Sequence, residues 1–430
     1  MNNEEISEVV HADWSYQSNI YEVNLRQYTP EGTFKAFSKH LPRLREMGID
    51  ILWLMPITPI SPVDCQGTLG SYYAVQDYVS TNPDYGTIDD FKDLVKQSHS
   101  LGFKLIIDFV GNHTGNGHPW IKDHPEYYVY NPDGSILHPH GWKDVAQLNF
   151  NERKVWDALI DAMLFWVREC NIDGFRCDMA HLVPLDLWVE ARKKITALKQ
   201  DIFMLGECEV PSYHQAFDAT YTWKWMHATE DFYHGKMNLF QLLMVLYSSN
   251  VEFPRNAFRA YFTSNHDENS WNGTEFEKYG SAALLLAVLS CTWNGLPLIY
   301  SGQELPNLKR LKFFDKDPIE WNGEFKLQNF YKTLLSLRKR NPALMAGNSG
   351  STTTIISPQN ETNVFSFLRK KGNDEVLVVL NCSNYTFDFK VQGVTGKFKN
   401  IFSGSDFQFT DDNFVHMDHW GYLVFEKQNE

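Results

Sequence analysis

The stretch "DGFRCDMAH", Asp173 to His181, sets an arginine and an aspartate two residues apart inside a short apolar run. Read as a strand, alternation turns Arg176 and Asp178 to one side and Phe175, Cys177 and Met179 to the other. A guanidinium beside a carboxylate on one face of a buried strand is most often a structural ion pair. It is also how an ionised carboxylate is held ready for chemistry. The segments on either side decide between these readings.

Working outward, short apolar runs alternate with amphipathic stretches, the texture of repeated β-α units. The strands are expected at "NIYEVNLRQY" from Asn19, "DILWLMP" from Asp50, "KLIIDFV" from Lys104 and "GFRCDM" from Gly174. They continue with "FMLGEC" from Phe203, a weak "DATY" from Asp218, "AFRAYFTSN" from Ala257 and "LPLIYSG" from Leu296. Helical spacing marks "FKAFSKHLPRLREMG", "IDDFKDLVKQSHSLG", "ERKVWDALIDAMLFWVREC", "LDLWVEARKKITALK", "YGSAALLLAVLSCTW" and "LQNFYKTLLSLRKRNP", with Gly48, Gly102 and Asn171 as C-terminal stops. Eight strands, each followed by a helix, predict an α/β fold, a (β/α)8 TIM barrel, over 1–112 and 150–342. An insertion rich in His, Pro, Gly and Asn separates the two parts at 113–149. After Pro342 short strands with turn residues between them predict a C-terminal all-β sandwich over 343–430.

The chain has 430 residues, 43% hydrophobic and 21% charged, as a globular protein does. Its net charge of −14 argues against a nucleic-acid or anionic-membrane partner. The abundance of rings (13 Trp, 20 Tyr, 30 Phe) suits stacking on the apolar faces of sugars. Six scattered cysteines without CxxC spacing read as reduced thiols, and no metal site is expected from them. The apolar run "SAALLLAVLSCTWNGLPLIY" is broken by Asn294, Gly295 and Pro297, so no membrane span is expected. The polar, acidic start "MNNEEISEVVHADWS" is not a signal peptide, which places the chain in the cytoplasm as it stands. Removal of a leader would make it periplasmic or secreted. The sequence carries no signal for an oligomeric state.

Active sites of such barrels gather at the C-terminal ends of the strands. There the sequence sets Asp108, Asn112 and His113 on strand three, and Arg176, Asp178 and His181 on strand four. Glu207 follows on strand five, and Asn265, His266 and Asp267 on strand seven. Asp178, Glu207 and Asp267 thus converge on one rim, a joint placement far less frequent by chance than any one of them alone.

These segments resemble the α-amylase family of glycoside hydrolases (family 13). "DFVGNH" is similar to the family's D-x-V-x-N-H segment, and "GFRCDMAH" to its G-x-R-x-D-x-x-x-H segment. "MLGECEV" matches its strand-five glutamate and "TSNHD" its N-H-D. "GIDILWLMPITP", "SYYAVQDYVSTNPDYGT" and "PLIYSGQE" support the likeness, which runs over essentially the whole chain. The resemblance implies a barrel, a small domain B after strand three and a β-sandwich domain C. It also implies a retaining hydrolase of internal α-1,4-glucosidic bonds in starch, glycogen or maltooligosaccharides. Asp178 is then the nucleophile, Glu207 the acid/base, and Asp267 the carboxylate on the hydroxyls of the sugar being cleaved. Arg176 keeps Asp178 ionised, Tyr73 stacks beneath that sugar, and His113 and His266 hydrogen-bond it. His181 serves the next sugar or acts through its backbone.

The same segments serve α-glucan transferases and cyclomaltodextrin- or maltose-acting enzymes, which remain the alternative. A non-catalytic carbohydrate-binding relative is disfavoured by the presence of all three carboxylates. The brevity of the insertion implies an open cleft for a polymer or long oligosaccharide. No cofactor is needed for the chemistry. A structural calcium would use Asn112 and a further oxygen ligand such as Asp144. "VAQLNF" departs from the family by carrying Gln147 where an acidic residue is common, which weighs against a tightly bound ion.

Overall fold

The computed structural model describes residues 9–356, 362–410 and 414–428. The end of "TTTIISPQ" and the start of the N-terminal segment lie outside them. Eight parallel strands close into a barrel: β1 (Ile20–Val23), β2 (Ile51–Leu54), β3 (Lys104–Val110), β4 (Gly174–Asp178), β5 (Phe203–Gly206), β6 (Ala219–Tyr221), β7 (Phe258–Tyr261) and β8 (Leu296–Tyr300). Each strand is buried on both faces, and alternation divides its side chains between two cores. Ile20, Ile51, Trp53, Ile106, Leu205 and Leu298 fill the barrel interior. Leu52, Leu105, Phe175, Cys177 and Met204 face outward into the layer shared with the helices. Arg176 and Asp178, of opposite parity to Phe175 and Cys177, therefore point into the barrel. In the β3–β4 register Asp108 stands beside Arg176, and Val110 beside Asp178.

Gly174, the first residue of β4, has φ +147°, and a Cβ there would lie 1.8 Å from the Phe203 carbonyl oxygen. Only glycine lets β4 and β5 approach that closely. Gly48, Gly102 and Asn171 all take positive φ at the helix ends where the sequence sets its stops.

Several expectations are corrected. The first strand ends at Val23, and Leu25–Tyr28 is a helical turn that carries buried Arg26 and Gln27 toward the loop after β8. The helix from Phe34 breaks into Phe34–Ser38 and Leu41–Met47, with Pro42 admitted in the first turn of the second. β5 is followed only by the 3-10 turn Pro211–Gln215, so not every strand has its helix. Two helices absent from the sequence reading, Trp223–Tyr233 and Leu239–Glu252, follow β6.

The chain after the barrel is all-β and antiparallel, as expected. A six-stranded sheet in the order Thr352–Ile356, Val364–Lys371, Asp374–Asn381, Tyr422–Lys427, Gly396–Asn400, Asp406–Phe409 shares a core with the pair Phe387–Lys390 and Phe414–Met417. Among the described residues the second layer of the expected sandwich is thus two strands. No helix among the described residues is long and apolar enough to cross a membrane.

Candidate active site

The site is built around one guanidinium. Arg176 is fully buried inside the barrel, 5.0 Å above the Trp53 ring, and its Nε donates to the Tyr221 hydroxyl at 3.3 Å. Its Nη1 donates to both Asp108 oxygens, at 2.9 and 3.1 Å, and to Asp178 Oδ1 at 3.1 Å. Its Nη2 lies 2.9 Å from Glu207 Oε2 but is not aligned for a hydrogen bond. Burial opposes the charge of Arg176, and Asp108 and Glu207 more than offset it, so the guanidinium stays charged. Because Nη1 and Nη2 belong to one rigid plane, Asp178 and Glu207 are fixed as neighbours.

Their protonation follows from the surroundings. Burial raises the pKa of both; the charges of Asp108 and Asp267 add to the rise in Asp178, and those of Asp178 and Asp267 to the rise in Glu207. Both carboxyls are pushed up to about 7. The arginine differs toward the two: it hydrogen-bonds Asp178, which favours the charge there, and only neighbours Glu207. Asp178 Oδ2 is buried without a hydrogen-bond partner. Glu207 Oε2 accepts the Met179 backbone N–H at 2.8 Å, and Met179 takes a left-handed conformation (φ 40°) to present it. That conformation ends β4 one residue earlier than the sequence reading.

His266 and Asp267 form the opposite side. His266 Nδ1 meets Glu22 Oε1 at 2.5 Å, while Nε2 meets the Tyr73 hydroxyl at 2.7 Å and Asp267 Oδ2 at 3.2 Å. Burial opposes the charge of His266, yet Asp267 and Glu22 together raise its pKa well above the ordinary value and hold it as an imidazolium. In return, although burial raises the Asp267 carboxyl, His266 brings it below the usual range. Tyr73 also donates to Asp108 Oδ2 at 3.2 Å and stacks on Phe313. Buried His113 has its pKa lowered to about 4 by desolvation, so it is neutral. Asn112 Nδ2 lies 3.3 Å from His113 Nδ1 and donates to it, which places the ring proton on Nε2.

Tyr73, His113, Asp178, Glu207 and Asp267 all line one cavity of about 490 Å3. Arg176 and His266 stand directly behind it. His181 is not among them. It is exposed and lines an adjoining cavity of about 420 Å3 with Trp223 and His227, sharing Met179 and Glu207 with the first. The sequence reading passed over Glu22 as a site residue, and named Asp108 only as a strand end. Alternation was the available signal for Glu22, since a carboxylate two residues from Ile20 in "NIYEV" must enter the barrel. Trp271, in the π-helical turn Glu268–Asn272, and Phe313, in the loop after β8, also line the cavity and carried no such signal.

The Asn112 oxygens expected to hold a calcium ion are already engaged. Asn112 Oδ1 accepts from Gln147 Nε2 at 3.1 Å, and the same amide donates to the backbone oxygens of Asn112 and Leu148, both at 3.1 Å. A neutral N–H donor thus occupies the place a cation would take. Among the described residues no cluster of acidic, His or Cys side chains is arranged to hold a metal ion.

The sequence matches the family described as "Alpha amylase, catalytic domain" over residues 15–134 and 130–322, and "Maltogenic Amylase, C-terminal domain" over 353–424. It is 24% identical to Alpha-amylase 2 of Dictyoglomus thermophilum, over 91% of this chain and 73% of that one. It is 26% identical to an alpha-1,4-glucan:maltose-1-phosphate maltosyltransferase of Picrophilus torridus, over 81% of this chain and 58% of that one. The crystal structure of a noncanonic maltogenic alpha-amylase, AmyB from Thermotoga neapolitana, is similar with TM-score 0.89 and 28% identity, covering 97% of this chain and 100% of that one. With a match that takes in the whole barrel and its converging carboxyl groups, the chain belongs to the α-amylase family of glycoside hydrolases.

Proposed function

We propose that the protein hydrolyses α-1,4-glucosidic bonds of starch, glycogen or maltooligosaccharides with retention of configuration. Asp178 Oδ2 attacks the anomeric carbon as the bond to the glycosidic oxygen breaks, and Glu207 gives that oxygen its proton. The product is a glucosyl ester on Asp178 and a freed sugar hydroxyl. Glu207, now a carboxylate, removes a proton from water, whose oxygen attacks the same carbon and releases Asp178. Two inversions leave the α configuration. Asp267, kept ionised by His266, holds hydroxyls of the sugar ring, and His113 holds another. The ring of Tyr73 packs beneath. No step uses a metal ion or cofactor.

The observation that carries this reading is the asymmetry of Arg176, which hydrogen-bonds Asp178, leaves its Oδ2 bare and makes no hydrogen bond to Glu207. In Glu207→Gln, kcat on maltooligosaccharides is expected to fall on the order of a thousandfold. Formation of the glucosyl ester from an α-glucosyl fluoride, whose leaving group needs no proton, is expected to survive. Equal loss on both substrates would contradict the acid role of Glu207.

A second reading, transfer of the glucosyl group to a sugar hydroxyl, is favoured by one observation. Trp223 and His227 stack in parallel, 5.9 Å between centroids, in the cavity beside Glu207 where an acceptor sugar would lie. The relative named as a maltosyltransferase gives this reading further support. Longer products from maltotriose than the starting sugar would mark it.

A further inference from the structure

The two cavities that meet at Glu207 give the cleft a direction. The acid protonates the oxygen of the leaving sugar, so the cavity on its far side, with His181, Trp223 and His227, takes the leaving group. The cavity with Tyr73, Asp178, Asp267, Trp271 and Phe313 takes the sugar that becomes bonded to Asp178, and whatever lies beyond it toward the non-reducing end.

The loops around that second cavity are stitched to one another. From the insertion, Asn116 Nδ2 donates to Asp64 Oδ2 and to the Lys143 carbonyl, both at 2.7 Å. Asp64 belongs to the loop after β2, whose Thr68 donates through its N–H (2.9 Å) and hydroxyl (2.7 Å) to Asp315 Oδ1 in the loop after β8. Leu69 N–H donates to the Phe314 carbonyl at 3.0 Å, and Arg26 Nη1 clamps the Gly70 and Phe313 carbonyls, each at 3.0 Å. A Cβ on Gly67 would lie 2.6 Å from Phe314 Cβ, so these two loops touch without a gap. The β8 loop is tied in turn to the β7 loop: Asn269 bonds the Lys309 carbonyl and the Leu311 N–H, and Trp271 packs on Phe313 at 5.3 Å. A continuous wall therefore runs from the insertion through the loops after β2, β8 and β7.

We infer that this wall makes the glycone side a dead end, so that the enzyme cuts near the non-reducing end of an α-glucan and releases short products of one size. The inference rests on the proposed hydrolysis of α-1,4 bonds and replaces the expectation of an open cleft cutting internal bonds. The insertion is short, but the β2 loop bridges from it to the β8 loop and does the closing.

The test compares maltoheptaose with maltoheptaose carrying a 4,6-O-ethylidene block on its non-reducing glucose. The blocked sugar is expected to be cleaved about 100-fold more slowly, because it cannot seat in a closed pocket. Equal rates would overturn the inference and leave the proposed chemistry standing. Cleavage of neither would overturn the proposed function, and the inference with it. Asp315→Ala, which cuts the Thr68 stitch, is expected to raise the ratio of blocked to free cleavage. A folded variant with an unchanged ratio would overturn the role given to that stitch, and the wild-type comparison stands if the variant does not fold.

Discussion

Arg176 joins Asp108, Asp178 and Glu207 in the barrel interior, and its burial explains why the site is both ordered and acidic. Its neighbours Glu22, Asp108, Asp178, Glu207 and Asp267 outnumber the cations Arg176 and His266, so not all of these carboxyls can stay ionised together. Glu207 and Asp178 are both pushed up to about 7, and of the two Glu207 is the one that Arg176 does not hydrogen-bond. The sign of the pH dependence follows. Glu207 works as an acid only while protonated, so kcat/KM on maltooligosaccharides should fall as pH rises through its raised pKa. That limb is expected well above the ~4.3 of a free glutamate. The limb should be absent when glucosyl-ester formation from a glucosyl fluoride is followed over the same pH range. An alkaline limb shared by both substrates would assign the titrating group elsewhere.

At the scale of the element, β4 decides the site, and the closeness of β4 to β5 depends on Gly174. Gly174→Ala is expected to destabilise the protein on the order of 4 kcal/mol, since its Cβ meets the Phe203 carbonyl at 1.8 Å in a backbone conformation alanine avoids. The urea midpoint or loss of soluble protein reads this, and a wild-type midpoint would contradict it. β4 was legible because Phe175 and Cys177 alternate cleanly with Arg176 and Asp178. β3 was legible over its whole length, from Lys104 to Val110. The helix Leu239–Glu252 was not, because Phe240, Met244 and Val251 stay exposed and no apolar stripe separates from a polar one. Gly396–Asn400, "GKFKN", hides its strand behind a single buried side chain, Phe398. The carboxylates at strand ends could be read from alternation and position. Trp271, Phe313 and Phe314 could not, since a loop's path depends on contacts distant in sequence, such as Thr68 with Asp315.

Across the whole molecule, the barrel and the C-terminal sheet are joined by one core. Trp293, just before β8, packs on Phe367 at 5.0 Å and on Phe365 at 5.7 Å. Buried Arg369 reaches the carbonyls of Met345 and Thr292 from the sheet side. Calorimetry is therefore expected to show one cooperative unfolding transition, and two resolved transitions would contradict a shared core. The chemistry assembled on this frame requires that Asp178, and no other carboxylate, bond to the sugar. The most direct measurement is to trap that bond with 5-fluoro-α-glucosyl fluoride on Glu207→Gln and map the label by peptide mass spectrometry. The account predicts one fluoroglucosyl group on the peptide containing Asp178, lost in Asp178→Asn. A label on Glu22, Asp108 or Asp267, or hydrolysis of maltooligosaccharides that yields the β anomer first, would contradict it.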